Sequence, residues 1–138
     1  MSKLGSSEII LIFVSIVSIG IMLIPQIFYL KTLQKTLNEV SKENRKIKPN
    51  LVWLVLIPFF GFIWHFVVVN GIAISLQAEF RKRSIKITED KPGYSIGLTY
   101  CILFCFIIVP FIGVIAGIAG FVCWIMYWIK INNYKIKL

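Results

Sequence analysis

The sequence predicts an all-α integral membrane protein with four hydrophobic helical segments in a single membrane domain, residues 1–138. The chain is 58% hydrophobic and only 15% charged, and its mean hydropathy is +0.84. A soluble domain averages roughly 45–50% apolar and about 25% charged residues, so this chain has too much apolar surface for one water-soluble core. The charges are absent from three long runs, at residues 9–30, 49–78 and 92–129.

The first run predicts one membrane-crossing helix. Its 22 charge-free residues match the roughly 20 that a bilayer core about 30 Å thick requires, which places helix 1 at about residues 8–30. Apolar residues then recur every three or four positions: Leu30, Leu33, Leu37 and Val40. That spacing, with charges on the other faces, predicts an amphipathic extension over 31–47 on or near the membrane surface.

The second segment, at about residues 50–83, has two interpretations. Its 30-residue charge-free run makes about 45 Å of straight helix, too long for one upright crossing and too short for two. Pro58 and Gly61 interrupt it. The segment is therefore either a tilted, Pro-kinked helix that spans the bilayer or a re-entrant hairpin that returns to the same side.

The distribution of basic residues bears on this choice. One Lys precedes the first run, six basic residues lie between the first and second runs, five between the second and third, and three after the third. A crossing second run puts the two basic loops on opposite faces, whereas a hairpin puts fourteen of the fifteen on one face, as the positive-inside rule prefers. Trp53 and Trp64 would also share one depth in a hairpin. Pro-kinked spans are nevertheless the more frequent structure, so both interpretations stay open.

The third run predicts a tight helical hairpin. Its 38 residues would make about 57 Å of straight helix, so the chain must fold back. Pro110 and Gly113 divide it into helix 3, at about 93–109, and helix 4, at about 111–131. Residues 56–64 and 108–116 share a loose Pro-Phe-x-Gly pattern, which either an internal duplication or membrane composition alone accounts for.

Helix 4 carries a strip of small residues: Gly113, Ala116, Gly117 and Gly120. Small side chains at a four-residue spacing allow another helix to approach closely. The partner is either helix 3 of the same chain or a second protein.

Apart from cysteines and tyrosines, one ionisable side chain lies inside an apolar run. It is His65, with Asn70 five residues on. Intramembrane ionisable residues indicate function by default, so Pro58, Gly61, His65 and Asn70 are candidates for a transport pathway. The alternative is a neutral His65 that hydrogen-bonds to another helix or to a headgroup, because no Asp or Glu lies in these runs to pair with it.

No cofactor, metal or catalytic site is predicted. The last two segments contain three cysteines, Cys101, Cys105 and Cys123, but no second His or buried carboxylate that could complete a metal site. The cysteines are better interpreted as small apolar packing residues. Phosphate-binding loops, zinc-binding helices and nucleophile elbows are absent from the sequence. Every basic residue lies near a span end, which favours anionic lipid headgroups as partners over nucleic acid.

Residues 56–64, together with the hairpin at 96–130, resemble a family of small, uncharacterised bacterial integral membrane proteins of about this length. The resemblance covers most of the chain from Lys31 onward. It implies a multi-pass protein of the bacterial inner membrane. The family has no known activity, so no functional residue can be carried over.

Two functions are expected from these features. The first is a non-catalytic membrane protein that acts through helix–helix association with itself or with a membrane partner, which the small-residue strip favours. The alternative is an oligomeric channel or small transporter with its pathway near Pro58, His65 and Asn70.

Overall fold

The computed structural model describes Lys3 and residues 5–138, and within them the chain forms α-helices and short 3-10 helices without a strand. The α-helices are α1 (Ser6–Glu39), α2 (Phe60–Lys82), α3 (Tyr94–Cys105) and α4 (Ile112–Lys137). The 3-10 helices are Lys42–Asn44, Pro49–Leu56 and Phe106–Ile108. Helices α1, α2 and α4 are long and apolar enough to cross a membrane by length and composition. The all-helical class is thus confirmed, and the three helices are consistent with a multi-pass membrane protein.

Helix α1 differs from its prediction in length and in what it contacts. It runs without a break to Glu39 and is followed by Val40 in extended conformation, so the expected extension to residue 47 is wrong. The stripe of Leu30, Leu33 and Leu37 is fully buried inside the protein, because α1 packs against α4 and the Pro49–Leu56 segment. An amphipathic helix has the same apolar spacing whether its apolar face contacts a membrane surface or a protein core. In this protein the apolar face of α1 contacts the core.

The second segment doubles back at Pro58 and does not continue as one kinked helix. Pro49–Leu56 forms a 3-10 arm of about 16 Å, and α2 returns beside it. The Trp64 indole Nε1 donates to the Leu51 carbonyl oxygen at 2.7 Å, and the Gly61 amide donates to the Ile57 carbonyl oxygen at 2.7 Å. These contacts across the turn fix the two arms against each other.

The third segment also forms a hairpin, with boundaries that differ from the prediction. Helix α3 ends at Cys105 and a 3-10 turn follows it, while α4 continues to Lys137. The longer α4 follows from its buried face, because Ile131 and Tyr134 lie in the core beyond the end of the charge-free run. Polar residues on the outer face therefore do not end the helix.

The two hairpins turn with the same backbone geometry. Phe59 has φ 63° and ψ −55°, and Phe111 has φ 64° and ψ −55°. In each turn, the residue after the Phe donates its amide hydrogen to the carbonyl oxygen of the proline, at 2.7 Å and 2.8 Å. This is close to a γ-turn with a positive central φ, which is rare for a non-glycine residue. The shared Pro-Phe-x-Gly pattern thus corresponds to one turn used twice.

The charged connections meet at one end of the molecule, here called the basic end and comprising residues 39–48, 79–92 and 130–138. Lys82 pairs with Glu43 and Lys130 pairs with Glu89, so residues 79–92 are joined to both of the other segments. The Arg83 guanidinium also donates to the Glu39 carbonyl oxygen at 3.1 Å. The Pro58 and Pro110 turns lie at the opposite ends of their hairpins.

Candidate functional site

The predicted small-residue strip faces α3 of the same chain. Gly113, Ala116 and Gly120 are buried. A Cβ added to Gly120 would lie 2.8 Å from a ring carbon of Phe104, and one added to Gly113 would overlap the Ile107 carbonyl oxygen. The close approach that small residues permit is therefore used to pack the hairpin.

Gly117 and Gly61 depart from their predicted roles. An added Cβ on Gly117 would meet only Ile107, at an ordinary 3.8 Å, so this position is at the edge of the strip. An added Cβ on Gly61 would overlap the Val55 carbonyl oxygen. Gly61, predicted as part of a pathway, therefore has the same packing role in the first hairpin that Gly113 has in the second.

His65 takes part in a polar chain that links three helices. Its Nδ1 atom lies 3.0 Å from the Tyr100 hydroxyl oxygen, which in turn lies 2.8 Å from the Tyr29 hydroxyl oxygen. Tyr29 and Tyr100 are fully buried. Such a chain fixes the positions of α1, α2 and α3 relative to one another, because each buried polar group needs its partner. His65 thus has the interhelical hydrogen bond that one of the two predictions expected.

The two tyrosines were missed in the sequence analysis. Tyr29 and Tyr100 carry an apolar ring and one polar atom, and in a sequence they are typical of a membrane interface. The only available signal was that both lie inside charge-free runs, where a hydroxyl needs a partner.

The four predicted pathway residues separate into two groups. Pro58, Gly61 and His65 line a groove of about 140 Å³ beside the first turn. Asn70 instead lines a groove of about 460 Å³ together with Trp64 and Lys48. Five residues of helix turn the direction of a side chain by about 140°, so His65 and Asn70 lie on different faces of α2.

An aromatic cluster surrounds Tyr29. The Tyr29 and Trp124 rings meet edge to face with centroids 5.2 Å apart, and Tyr100 and Tyr127 lie 5.4 Å apart. Trp124 Nε1 and the Tyr127 hydroxyl are buried without a hydrogen-bond partner within the part of the chain that the structure describes. The cluster contributes apolar packing between α1, α3 and α4.

Glu79 supplies a buried carboxylate at the basic end. Its side chain is 1% exposed. It accepts hydrogen bonds from the Ser41 backbone amide at 3.0 Å and from the Ser41 hydroxyl at 2.9 Å. It also accepts hydrogen bonds from the Asn44 side-chain amide at 2.7 Å and from Arg83 Nε at 2.8 Å. Arg83 lies four residues after Glu79 in the sequence, whereas the donors of the 41–44 turn come from far along the chain. This carboxylate ties that turn to α2.

The described residues hold no group of three His, Cys, Asp or Glu side chains close enough to bind a metal ion. Cys101, Cys105 and Cys123 are free. Comparisons of the chain with protein-family models, curated proteins and solved structures found no match.

Proposed function

We propose that this protein is a non-catalytic integral membrane protein. In this proposal, the N-terminal half of α1 associates with a second copy of the chain or with another membrane protein. One observation carries the proposal. The most apolar 18-residue stretch of α1 has none of its residues buried within the chain, whereas the second half of the same helix is fully buried at Tyr29, Leu33 and Leu37. One half of α1 belongs to the folded body, and the other half is available for contact.

The position of α1 relative to the hairpins supports this proposal. Trp128 Nε1 donates to the Thr32 hydroxyl at 3.0 Å, which sets these two residues at one level. Measured from that level, α4 extends back about 24 Å to its first turn, whereas α1 extends back about 39 Å. The part of α1 that precedes this contact is therefore about 15 Å longer than the corresponding part of α4.

The exposed half of α1 also has the small residues that favour helix association. The Ser15 and Ser18 hydroxyls each donate to a carbonyl oxygen four residues back, at 2.8 Å, so they need no further partner. Gly20 has no atom within 4 Å of an added Cβ. Close approach of a second helix is thus open here, whereas the α4 strip is already covered by α3.

The proposal includes an arrangement in the bilayer. Helix α1 crosses the membrane, both hairpins enter it from the basic end, and the basic end faces the cytoplasm. Fourteen of the fifteen Lys and Arg residues then lie on one side, in agreement with the positive-inside rule. The resemblance noted for residues 56–64 and 96–130 suggests the bacterial inner membrane.

Site-specific photocrosslinking in native membranes tests the association. A photoreactive amino acid replaces residues 9–23 of α1 one at a time. Matched controls carry it at Ile63 and Ile118, which are exposed apolar positions on α2 and α4. We expect adducts with a protein of constant mass from α1 positions that recur every three or four residues, and lipid adducts alone from the controls. Lipid adducts alone from every α1 position would contradict the proposal.

A channel or small transporter is the second candidate. The observation that favours it is the position of His65, a titratable side chain that lines the groove at the Pro58 turn. Proton flux into liposomes, measured for wild type and His65→Ala, tests this candidate. A pH-dependent flux that His65→Ala abolishes would support transport, and identical flux in the two proteins would count against it.

A further inference from the structure

We propose that the groove between residues 46–51 and α2 binds the headgroup of an anionic phospholipid. The groove has a volume of about 460 Å³. Its polar lining comes from Lys46, Lys48 and Asn70, and its apolar lining includes Leu51, Trp64 and Val67. This site is separate from the exposed half of α1 and does not depend on the association proposed for it.

The walls of the groove are held in place at both ends. The Lys46 amide donates to the Ser75 hydroxyl at 2.9 Å, and the Trp64 indole donates to the Leu51 carbonyl oxygen at 2.7 Å. Between these bonds Ile47 packs closely on Gly71, where an added Cβ would lie 2.9 Å from the Ile47 side chain. The segment before the first hairpin is thus fixed along α2, and the groove is part of the folded structure.

The charge of the groove selects an anion. Lys46 and Lys48 are both exposed, and no Asp or Glu is among the lining residues. The salt bridges formed within the described residues involve other cations: Arg81, Lys82, Arg83 and Lys130. Asn70 is exposed in a charge-free run, and its amide adds two N–H donors. Two ammonium groups and an amide suit the acceptor oxygens of a phosphodiester.

The apolar side of the groove favours a lipid over a soluble phosphate compound. Exposed Val67 and Ile63 continue from it along α2 toward the Pro58 turn, which provides a surface for an acyl chain. A second basic groove, between α1 and α4, differs in both respects. It is lined by Lys35, Asn38, Glu39 and Lys135, so it contains a carboxylate and no apolar side chain.

Lipid retention in native mass spectrometry tests the proposal. The protein is released from nanodiscs of equal parts phosphatidylcholine and phosphatidylglycerol, and the bound lipids are counted. Wild type is expected to retain phosphatidylglycerol in preference to phosphatidylcholine. The double variant, with Lys46→Gln and Lys48→Gln, should lower that preference by about fivefold for each lysine that is removed. The control, Lys31→Gln with Lys35→Gln, removes the same charge from exposed positions of α1 and should leave the preference unchanged.

Asn70→Leu provides a variant that leaves the charge intact. Because Asn70 is exposed, the substitution is compatible with the fold, and it should lower the phosphatidylglycerol preference by about fivefold through the loss of its hydrogen bonds. An equal loss in both lysine pairs would mean that general surface charge attracts the lipid, which overturns the proposal. Equal retention of the two lipids by wild type, or an unchanged preference in Asn70→Leu, would also overturn it.

Discussion

At the scale of single residues, glycines determine how closely the hairpin arms approach. Gly61 and Gly113 each follow a Pro-Phe turn, and each lies where a Cβ would overlap a backbone carbonyl oxygen of the preceding arm. Gly117, in contrast, has room for a methyl group. The same residue type therefore has a structural role at two positions and only a helix-weakening effect at the third.

We expect Gly61→Ala and Gly113→Ala each to lower the free energy of unfolding by about 2–3 kcal/mol, because backbone atoms must move to accept the methyl group. Gly117→Ala should be neutral or raise that free energy by up to about 1 kcal/mol, since alanine is the better helix former. Titration with sodium dodecyl sulfate in mixed micelles measures the three values. Equal effects at all three positions would contradict these roles.

The candidate-site residues also show how much of the site could be predicted from single positions in the sequence. The spacing of Gly113, Ala116 and Gly120 indicated close helix packing, but it did not indicate the partner, because either helix 3 or a second protein satisfies the same pattern. An interhelical hydrogen bond of His65 was among the expected outcomes. Its partner, Tyr100, was not predicted, because it is 35 residues away in the sequence. A pairing over that distance depends on how the hairpins fold together.

At the scale of elements, the apolar runs and the two Pro-Phe-x-Gly segments were visible in the sequence, and the path of the chain between them was not. The 49–78 run had the length of neither one span nor two. The short 3-10 arm resolves that difficulty, because the chain turns back at Pro58 after about 16 Å and α2 returns to the basic end. The Leu30, Leu33 and Leu37 stripe predicted an amphipathic helix correctly but not its contact surface. Only the packed hairpins show that a protein core covers it.

The Glu79 carboxylate connects α2 to the 41–44 turn, and its removal tests how much this connection stabilises the fold. We expect Glu79→Ala to lower the free energy of unfolding by about 3 kcal/mol, because it leaves Ser41, Asn44 and Arg83 without their shared acceptor. Glu43→Ala is the matched control at the same end. Its pair with Lys82 is largely exposed, so its loss should change the free energy of unfolding far less than the loss of Glu79 does.

Hydrogen exchange of the Ser41 amide gives an independent readout of the same prediction. This amide donates to Glu79 at 3.0 Å and should exchange faster in Glu79→Ala than in Glu43→Ala. Similar stability and similar exchange in the two variants would contradict a structural role for the buried carboxylate.

At the scale of the whole molecule, the protein is an apolar body with one basic end. The hairpins turn at Phe59 and Phe111, which are 86% and 91% exposed, and both return to the end where Lys82 and Lys130 form their ion pairs. The net charge of +9 thus gathers at one end of the chain. In the bilayer arrangement proposed above, the basic connections lie on one side and the start of α1 lies on the other.

Cysteine labelling from each side of the membrane tests this arrangement most directly. Single cysteines replace Gly5, Lys42, Lys86 and Lys137, which are all exposed, in a variant that lacks Cys101, Cys105 and Cys123. We expect a membrane-impermeant thiol reagent to label positions 42, 86 and 137 from the same side and position 5 from the opposite side. Labelling of positions 42 and 86 from opposite sides would show that the 49–78 run crosses the bilayer and would contradict the proposed arrangement.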